Sequence, residues 1–291
     1  MEFLQQLING LQLGSIYALI ALGYTMVYGI VKLINFAHGD IYMIGAYIGF
    51  FAVGFMGPQF IPALILAMVG CAILGFIIER FAYRPLRGKP RIAALTTALG
   101  VSLLLENLVR KFIGPNYIAY PTLVKSTTIY IGGLQISNIK LIVLSVALIM
   151  MFGLQFIVLK TRTGKAMRAA SQDLDAARLM GIDVNAVISY TFMIGSALAA
   201  TAGILVGVAY PRIDPYMGIL PGLKAFVAAV LGGIGSIPGA MVGGLVMGTA
   251  ETMVLGFGKS TFRDAIAFTI LIIVLLVKPT GIMGSKVNEK V

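Results

Sequence analysis

Charged residues are scarce in this sequence, and that scarcity indicates that most of the chain lies in a lipid bilayer rather than in water. Asp, Glu, Lys and Arg make up 11% of the 291 residues, whereas 59% are hydrophobic, and the mean hydropathy is +0.96. Apolar runs of about 20 residues recur, and a helix of that length crosses the roughly 30 Å hydrocarbon layer of a bilayer. A soluble core cannot bury so much apolar surface, so the sequence excludes a soluble domain and predicts a polytopic membrane protein.

The residues of metal and covalent chemistry are also few. There is no Trp, one Cys (Cys71) and one His (His38), so an internal disulfide and a multi-histidine metal site are excluded. The motifs HExxH and GxSxG are absent. The letters GKS at 258–260 end like a phosphate-binding loop, but Met253 stands where that motif needs its first glycine. We predict that this chain has no catalytic residue and binds no metal or cofactor.

Acidic residues number 11 against 22 basic ones, which gives a formal net charge of +11. Thirteen of the basic residues fall in three loops: Arg80, Arg84, Arg87, Lys89 and Arg91; Lys160, Arg162, Lys165, Arg168 and Arg178; Lys278, Lys286 and Lys290. Basic loops between apolar segments indicate the cytoplasmic side of a membrane rather than a nucleic-acid surface. No basic residue precedes Lys32, so we expect no cleavable signal peptide.

The apolar segments lie at 7–31, 36–56, 60–79, 92–109, 140–159, 187–209, 221–257 and 264–277. With the three basic loops inside, the N-terminus is outside, and the stretch 221–257 crosses twice or not at all. The prediction is an all-α integral membrane protein, a helical bundle of about eight transmembrane segments forming one domain over 1–291. Counted as full crossings, the alternatives are nine, or seven with a re-entrant element.

The stretch VLGGIGSIPGAMVGGLVMGTAE is rich in glycine. Gly235, Gly239 and Gly243 are spaced by four, as are Gly244 and Gly248, so each set is expected on one helical face that another helix can approach closely. Pro238 predicts a broken helix near 231–244. Dense packing explains the glycines, and an unwound segment that lines a polar path is the alternative.

The external loop contains TTIYIGGLQIS, in which two short β-prone runs flank Gly132 and Gly133. This pattern predicts a β-hairpin with a primed turn. The loop is either a stiff surface element or a docking surface for an external partner.

The segment 161–187 is polar in an apolar chain. Met167, Ala170, Leu174 and Ala177 recur at helical spacing, which predicts short amphipathic helices. Ser171 is expected to cap the second helix and Gly181 to end it in a left-handed conformation. The helices either lie on the membrane surface or dock on another protein, and the small alanine side chains favour docking.

Two stretches carry a family resemblance. DAARLMG at 175–181 resembles the Glu-Ala-Ala-x-x-x-Gly loop of ABC importer permeases, with Asp175 in the Glu position, although TFMI at 191–194 departs from the Ile-x-Leu-Pro that follows there. YGIVKLINFAHGDIYMIGAY at 28–47 resembles the signature of the permeases that import branched-chain amino acids. The resemblance extends over essentially all 291 residues and is close enough to suggest an H-type permease subunit of the high-affinity systems.

The resemblance implies half of a transporter in the bacterial inner membrane. The expected partners are a homologous second permease, two cytoplasmic ATPase subunits that bind ATP and Mg²⁺, and a periplasmic binding protein that delivers leucine, isoleucine or valine. The loop 161–187 would couple this chain to the ATPase through Arg168, Asp175, Ala176, Ala177 and Gly181. The alternatives are another cargo, such as a sugar, nucleoside or amide, or an ion-coupled secondary carrier.

Three polar residues between the first two apolar segments, one carboxylate in an apolar helix and one glycine of the glycine-rich stretch are candidates for the substrate pathway. They are Asn35, His38, Asp40, Gly235 and Glu251. Ionisable groups at membrane depth are costly without a role or a partner, so we expect a polar partner for Glu251, while Asn35, His38 and Asp40 either line the pathway or only cap and turn the chain. Glu106 and Arg110, four residues apart, predict an ion pair.

Overall fold

The structure is a computed structural model that describes residues 1–131, 133–258 and 260–284. Gly132 of the predicted turn, Lys259 of the incomplete phosphate-loop motif, and the tail lysines Lys286 and Lys290 lie outside these ranges, as does the Arg91 side chain.

Eight helices in the described ranges are long and apolar enough to cross a membrane, which confirms the predicted helical membrane bundle. The helices are α1 Glu2–Val31, α2 His38–Met56, α3 Phe60–Ile78, α4 Arg91–Phe112, α5 Asn138–Lys160, α6 Arg162–Gln172, α7 Leu174–Leu179, α8 Val184–Ala209, α9 Ile219–Gly232, α10 Ile237–Phe257 and α11 Arg263–Val277. A π-helical turn, Glu79–Tyr83, and a 3₁₀ turn, Arg84–Leu86, continue α3, and a second 3₁₀ turn, Ser260–Phe262, precedes α11. The strands are β1 Ile118–Ala119, β2 Thr128–Ile131, β3 Leu134–Ser137 and β4 Arg212–Ile213.

Glycine contacts fix the relative direction of α1 and α10. A side chain at Gly10 would meet Thr249, whereas one at Gly29 would meet Gly235. The two helices are therefore antiparallel along their length. Their close approach follows from the small residues on both faces.

Helix α9 is antiparallel to α10 in turn, since Gly232 contacts Gly239 and Gly243 contacts Ala228. Its 14 residues reach only about 21 Å at 1.5 Å per residue, so the end of the loop between β4 and α9 lies within the bundle, where Gly218 contacts Gly39. The pair α9 and α10 then accounts for the two crossings required of 221–257. Together with the eight long helices, α9 gives nine crossings in the described ranges, an odd number that places residues 1 and 284 on opposite sides.

Two helices begin inside the bundle rather than at its edge. His38, the first residue of α2, lies beside Gly23 in the middle of α1, and Gly39 contacts the backbone of Gly218, next to the start of α9. Only glycine permits this backbone approach. The broken backbone satisfies itself locally, with the His38 N–H donating to the Asn35 carbonyl at 3.0 Å, as membrane burial demands.

The external loops form a small cap. Strands β2 and β3 pair antiparallel with Ile131 opposite Leu134, which confirms the predicted hairpin, and Gly133 has φ 87°. Strand β1 pairs with β4. The Gln5 side chain both donates to the Gln135 carbonyl at 3.0 Å and accepts from its N–H at 2.9 Å, which ties the hairpin to the start of α1.

The arrangement predicts sided chemical labelling. In a Cys71→Ala background, single cysteines that replace Lys89 or Lys165 should react with a membrane-impermeant maleimide only in inside-out vesicles. A cysteine that replaces Lys125 should react only in intact spheroplasts. All three positions are exposed, and position 125 lies on the opposite membrane face from the other two. Labelling of a cysteine at position 165 in sealed spheroplasts would contradict the predicted topology.

Candidate coupling loop and buried polar clusters

Helices α6 and α7 form an elbow on the side that the basic loops predict to be cytoplasmic. The Asp173 carboxylate caps α7 by accepting from the N–H groups of Asp175 at 2.8 Å and Ala176 at 2.9 Å, and these bonds hold the pKa of Asp173 below its ordinary value. The expectation that Ser171 is the cap is wrong. Ser171 still belongs to α6, and its hydroxyl donates to the Arg168 carbonyl at 2.7 Å.

The end of α7 is equally well defined. The Gly181 N–H donates to the Arg178 carbonyl at 2.9 Å, and the Ile182 N–H donates to the Ala177 carbonyl at 3.0 Å. Gly181 has φ 79°, so this is the two-bond Schellman ending with the glycine in the left-handed region. These two hydrogen bonds fix the direction in which the chain leaves α7 toward α8.

The alanine-rich face of the elbow is covered by the chain itself. Met167, Ala170 and Ala177 are buried, with α6 packed on α1, α5 and α8 and α7 packed on α8. The interpretation of this face, Ala177 included, as the docking surface is therefore wrong, because periodicity identifies an apolar face but not what covers it. The exposed apolar side chains are Leu179 and Met180, with exposed fractions of 89% and 81%.

The other predicted coupling residues have distinct surroundings. Arg168 donates from Nη1 to the Val158 carbonyl near the end of α5, where helix carbonyls lack intrahelical partners. Asp175 and Arg178 form an exposed ion pair at 2.9 Å, a kind that contributes little to stability. Ala176 is exposed. Arg168 therefore holds the elbow on α5, while Asp175 and Ala176 face solvent.

A buried polar cluster joins the end of α3 to the start of α8. Glu79 is fully buried, forms an ion pair with Arg87, and accepts from the Ser189 hydroxyl at 2.6 Å. Arg87 also donates to the Asn185 side chain at 2.5 Å. The sequence pattern did not predict this cluster, although a lone Glu at the end of an apolar run is a signal of a buried carboxylate that needs a partner.

The three polar residues of the 28–47 signature are buried but do not meet. Tyr83 donates to Asn35 Oδ1 at 2.9 Å. The His38 ring packs edge-to-face on Tyr24 at 4.9 Å, and α2, the helix of Asp40, packs on α4. No side-chain hydrogen bond among the described residues joins the three groups to one another, so their pathway role stays a prediction.

Glu251 has the polar partners that were expected. It accepts from the Tyr17 hydroxyl at 2.8 Å and from Lys224 Nζ at 2.9 Å, and it is paired with Arg263. Lys224 also contacts Asp264 at 2.6 Å. The cluster joins α1, α9, α10 and α11 around a fully buried carboxylate.

The glycine-rich stretch divides between a turn and two helix faces. Gly235 lies in the turn before α10 with φ 98°, so it does not share a helix face with Gly239 and Gly243. Those two glycines face α9, whereas Gly244 and Gly248 face α1. Each face lets a neighbouring backbone approach closely.

The predicted pair of Glu106 and Arg110 is not formed within the described residues. Arg110 instead donates to the Tyr216 hydroxyl at 2.9 Å. The external loop after α8 supplies a partner that helical spacing cannot foresee.

Comparison with known proteins places this geometry in a family. Residues 6–275 match the family model described as branched-chain amino acid transport system / permease component. The chain is 47% identical over 302 residues to the high-affinity branched-chain amino acid transport system permease protein BraD of Pseudomonas aeruginosa, covering 100% of this chain and 98% of the relative. It is 44% identical over 306 residues to LivH of Escherichia coli K12, covering 99% and 98%.

A solved structure, PsaBC from Streptococcus pneumoniae in complex with Fab, is similar in fold. It matches with a TM-score of 0.51 and 14% identity over 96% of this chain and 93% of that chain. At this identity the likeness concerns the fold alone. The chain belongs to the family of branched-chain amino acid transport permease components, as a multi-pass membrane subunit rather than an enzyme.

Proposed function

We propose that this chain is the membrane subunit through which a binding-protein-dependent ABC importer passes leucine, isoleucine and valine across the inner membrane. Its partners are a homologous second permease, a periplasmic binding protein and two ATPase subunits that carry ATP and Mg²⁺. The full-length similarity to BraD and LivH supports the cargo. The observation that carries the coupling role is the rigid elbow, from which two apolar side chains project.

The elbow is built to transmit displacement. Its outer end exposes Leu179 and Met180, and its inner face is buried on α1, α5 and α8. Helix α8 in turn packs on α1, α2 and α3. Closely packed interiors transmit strain rather than absorb it, so movement of an ATPase groove around Leu179 and Met180 shifts α8 and, with it, the bundle.

Two of the buried carboxylates argue against the ion-coupled alternative. Glu251 is neutralised by Lys224 and Arg263, and Glu79 by Arg87. A coupling carboxylate must exchange its ion in each cycle, whereas these two are held by cations of the same chain. Asp40 and Glu106 are buried without such a cation among the described residues. The full-length similarity to BraD and LivH supports uptake that depends on ATP and not on an ion gradient.

Removing the exposed apolar end of α7 should uncouple the transporter without unfolding it. For Leu179→Ser with Met180→Ser, we expect ATP-dependent leucine uptake in proteoliposomes to fall at least ten-fold, which corresponds to about 1.4 kcal/mol of lost contact energy. ATPase recovery on co-purification should fall with it. The melting temperature of the permease pair should stay unchanged, because both side chains are exposed.

Two comparison variants sharpen the test. Ile92→Ser removes an equally exposed apolar side chain at the cytoplasmic start of α4 and should leave uptake and ATPase recovery near wild type. Ala177→Asp places a charge in the covered face and should reduce the amount of folded permease itself. Normal uptake and normal ATPase recovery in the double variant would show that α7 has no coupling role. If the wild-type transporter took up another solute in an ATP-dependent manner but not leucine, only the proposed cargo would be wrong.

A further inference from the structure

A cleft of about 380 Å³ opens between the end of α3, with the turns that follow it, and the start of α8. Its walls include Phe76, Arg80, Arg84, Asn185, Ser189 and Met193. Cavities of this size accept small molecules and parts of larger ones.

The charges of the cleft favour an anion. No carboxylate of the described residues lies within 4.0 Å of the guanidinium of Arg80 or Arg84. Asp183 also lines the cleft, but its carboxylate accepts from the N–H groups of Asn185 at 2.9 Å and Ala186 at 3.1 Å. Beneath the cleft, the charge of Glu79 is matched by Arg87. The two arginines are thus left as donors for a ligand.

The cleft is also amphipathic along the membrane normal. Phe76 lies one helical turn before Arg80 on α3, and Met193 one turn after Ser189 on α8. Because α3 and α8 run in opposite directions, the two apolar residues share the deeper level and the polar ones share the cytoplasmic level. The exposed fraction of Phe76 is 42%, so the deeper wall opens toward acyl chains.

We propose that this cleft binds an anionic phospholipid of the cytoplasmic leaflet. The phosphodiester accepts charge-assisted hydrogen bonds from Arg80 and Arg84, and one acyl chain packs along Phe76 and Met193. The cytoplasmic leaflet supplies such lipids, and basic clefts between helices on that side suit their headgroups. Free phosphate shares the headgroup chemistry but gains nothing from the apolar wall.

The site bridges α3 and α8, and α8 is one of the helices on which the elbow packs; a link to the ATPase rests on the proposed function. An occupied cleft links α3 to α8 beside the cluster of Glu79, Arg87 and Ser189. The lipid is therefore expected to stabilise the packing of α8 in the assembled transporter.

The test measures lipid binding to the complete transporter by native mass spectrometry. Phosphatidylglycerol, phosphatidylcholine with matched acyl chains, or inorganic phosphate is titrated into the delipidated complex. We expect wild type to bind phosphatidylglycerol at least ten-fold more tightly than phosphatidylcholine and not to lose it to equimolar phosphate. Arg80→Gln with Arg84→Gln should abolish that preference, whereas Lys32→Gln with Lys89→Gln, which removes two exposed charges of the same side outside the cleft, should keep it.

Three outcomes would overturn the proposal. An unchanged phosphatidylglycerol preference in the arginine variant would place the lipid elsewhere. Displacement by equimolar phosphate would make the cleft a site for soluble phosphate. Efficient disulfide cross-linking of a cysteine at Arg84 to a partner subunit in the assembled complex, with no lipid retained, would make the cleft a protein interface. We expect the melting temperatures of both variants without lipid to equal that of wild type. Equal values show that a lost lipid preference does not come from misfolding.

Discussion

Replacing Glu251 with alanine is expected to destabilise the folded permease by about 3–5 kcal/mol, the range for removing one partner of a buried ion pair. Lys224 has a side-chain exposed fraction of only 4%, and it would lose its one fully buried anion among the described residues, since Asp264 is half exposed. Tyr17 would lose its acceptor as well. The remaining contact between Lys224 and Asp264 at 2.6 Å places the effect at the lower end of the range. Thermal unfolding of the purified permease pair measures it.

A charge-free version of the cluster separates electrostatics from packing. In Lys224→Met with Glu251→Leu the volume is approximately kept and neither buried charge remains, so most of the stability of wild type should return. Arg263, whose side chain is 43% exposed, can turn toward solvent. Asp264→Asn, at the half-exposed edge of the cluster, should have a small effect. A double variant as unstable as Glu251→Ala would show that the unpaired lysine is not the cause.

The second large effect is expected at the contact of α1 with α10. A Cβ at Gly248 would overlap the backbone N and Cα of Gly14, and neither backbone can move without displacing its helix. Overpacking of a core typically costs about 1–3 kcal/mol of folding free energy. Because even the Cβ of a leucine at position 248 would overlap backbone atoms, we expect the cost of this substitution to lie at or above the upper end of that range. Gly248→Leu should therefore yield little folded permease, as measured by size-exclusion chromatography of a fluorescent fusion.

Gly153 provides the matched control for this substitution. It lies inside the long apolar helix α5, and a Cβ there meets no other atom within 4 Å. Gly153→Leu makes the same chemical change and gains the same helix propensity, so folded yield should equal or exceed that of wild type. Equal yields from the two variants would show that close helix approach is not what Gly248 provides.

The candidate coupling loop, 161–187, shows what the helical periodicity of a sequence can and cannot predict. The spacing of Met167, Ala170 and Ala177 predicts the helices and their apolar face, because side chains three and four apart share a face of any helix. The same spacing cannot tell whether a partner or the chain itself covers that face. Here α1, α5 and α8 cover it, and the exposed surface is the end of α7 at Leu179 and Met180.

The sequence by itself determined the solvent, the number of apolar segments, the sidedness and the family, because apolar runs, basic loops and contiguous motifs are local properties of the chain. It also located the hairpin and the left-handed Gly181, which depend on a few neighbouring residues. Only the tertiary structure decided which buried charges pair, since Glu251 and Tyr17 are 234 residues apart along the chain. It likewise decided that Asn35, His38 and Asp40 have different neighbours, because the irregular segment before α2 directs Asn35 toward Tyr83, whereas His38, on α2, packs on Tyr24 of α1.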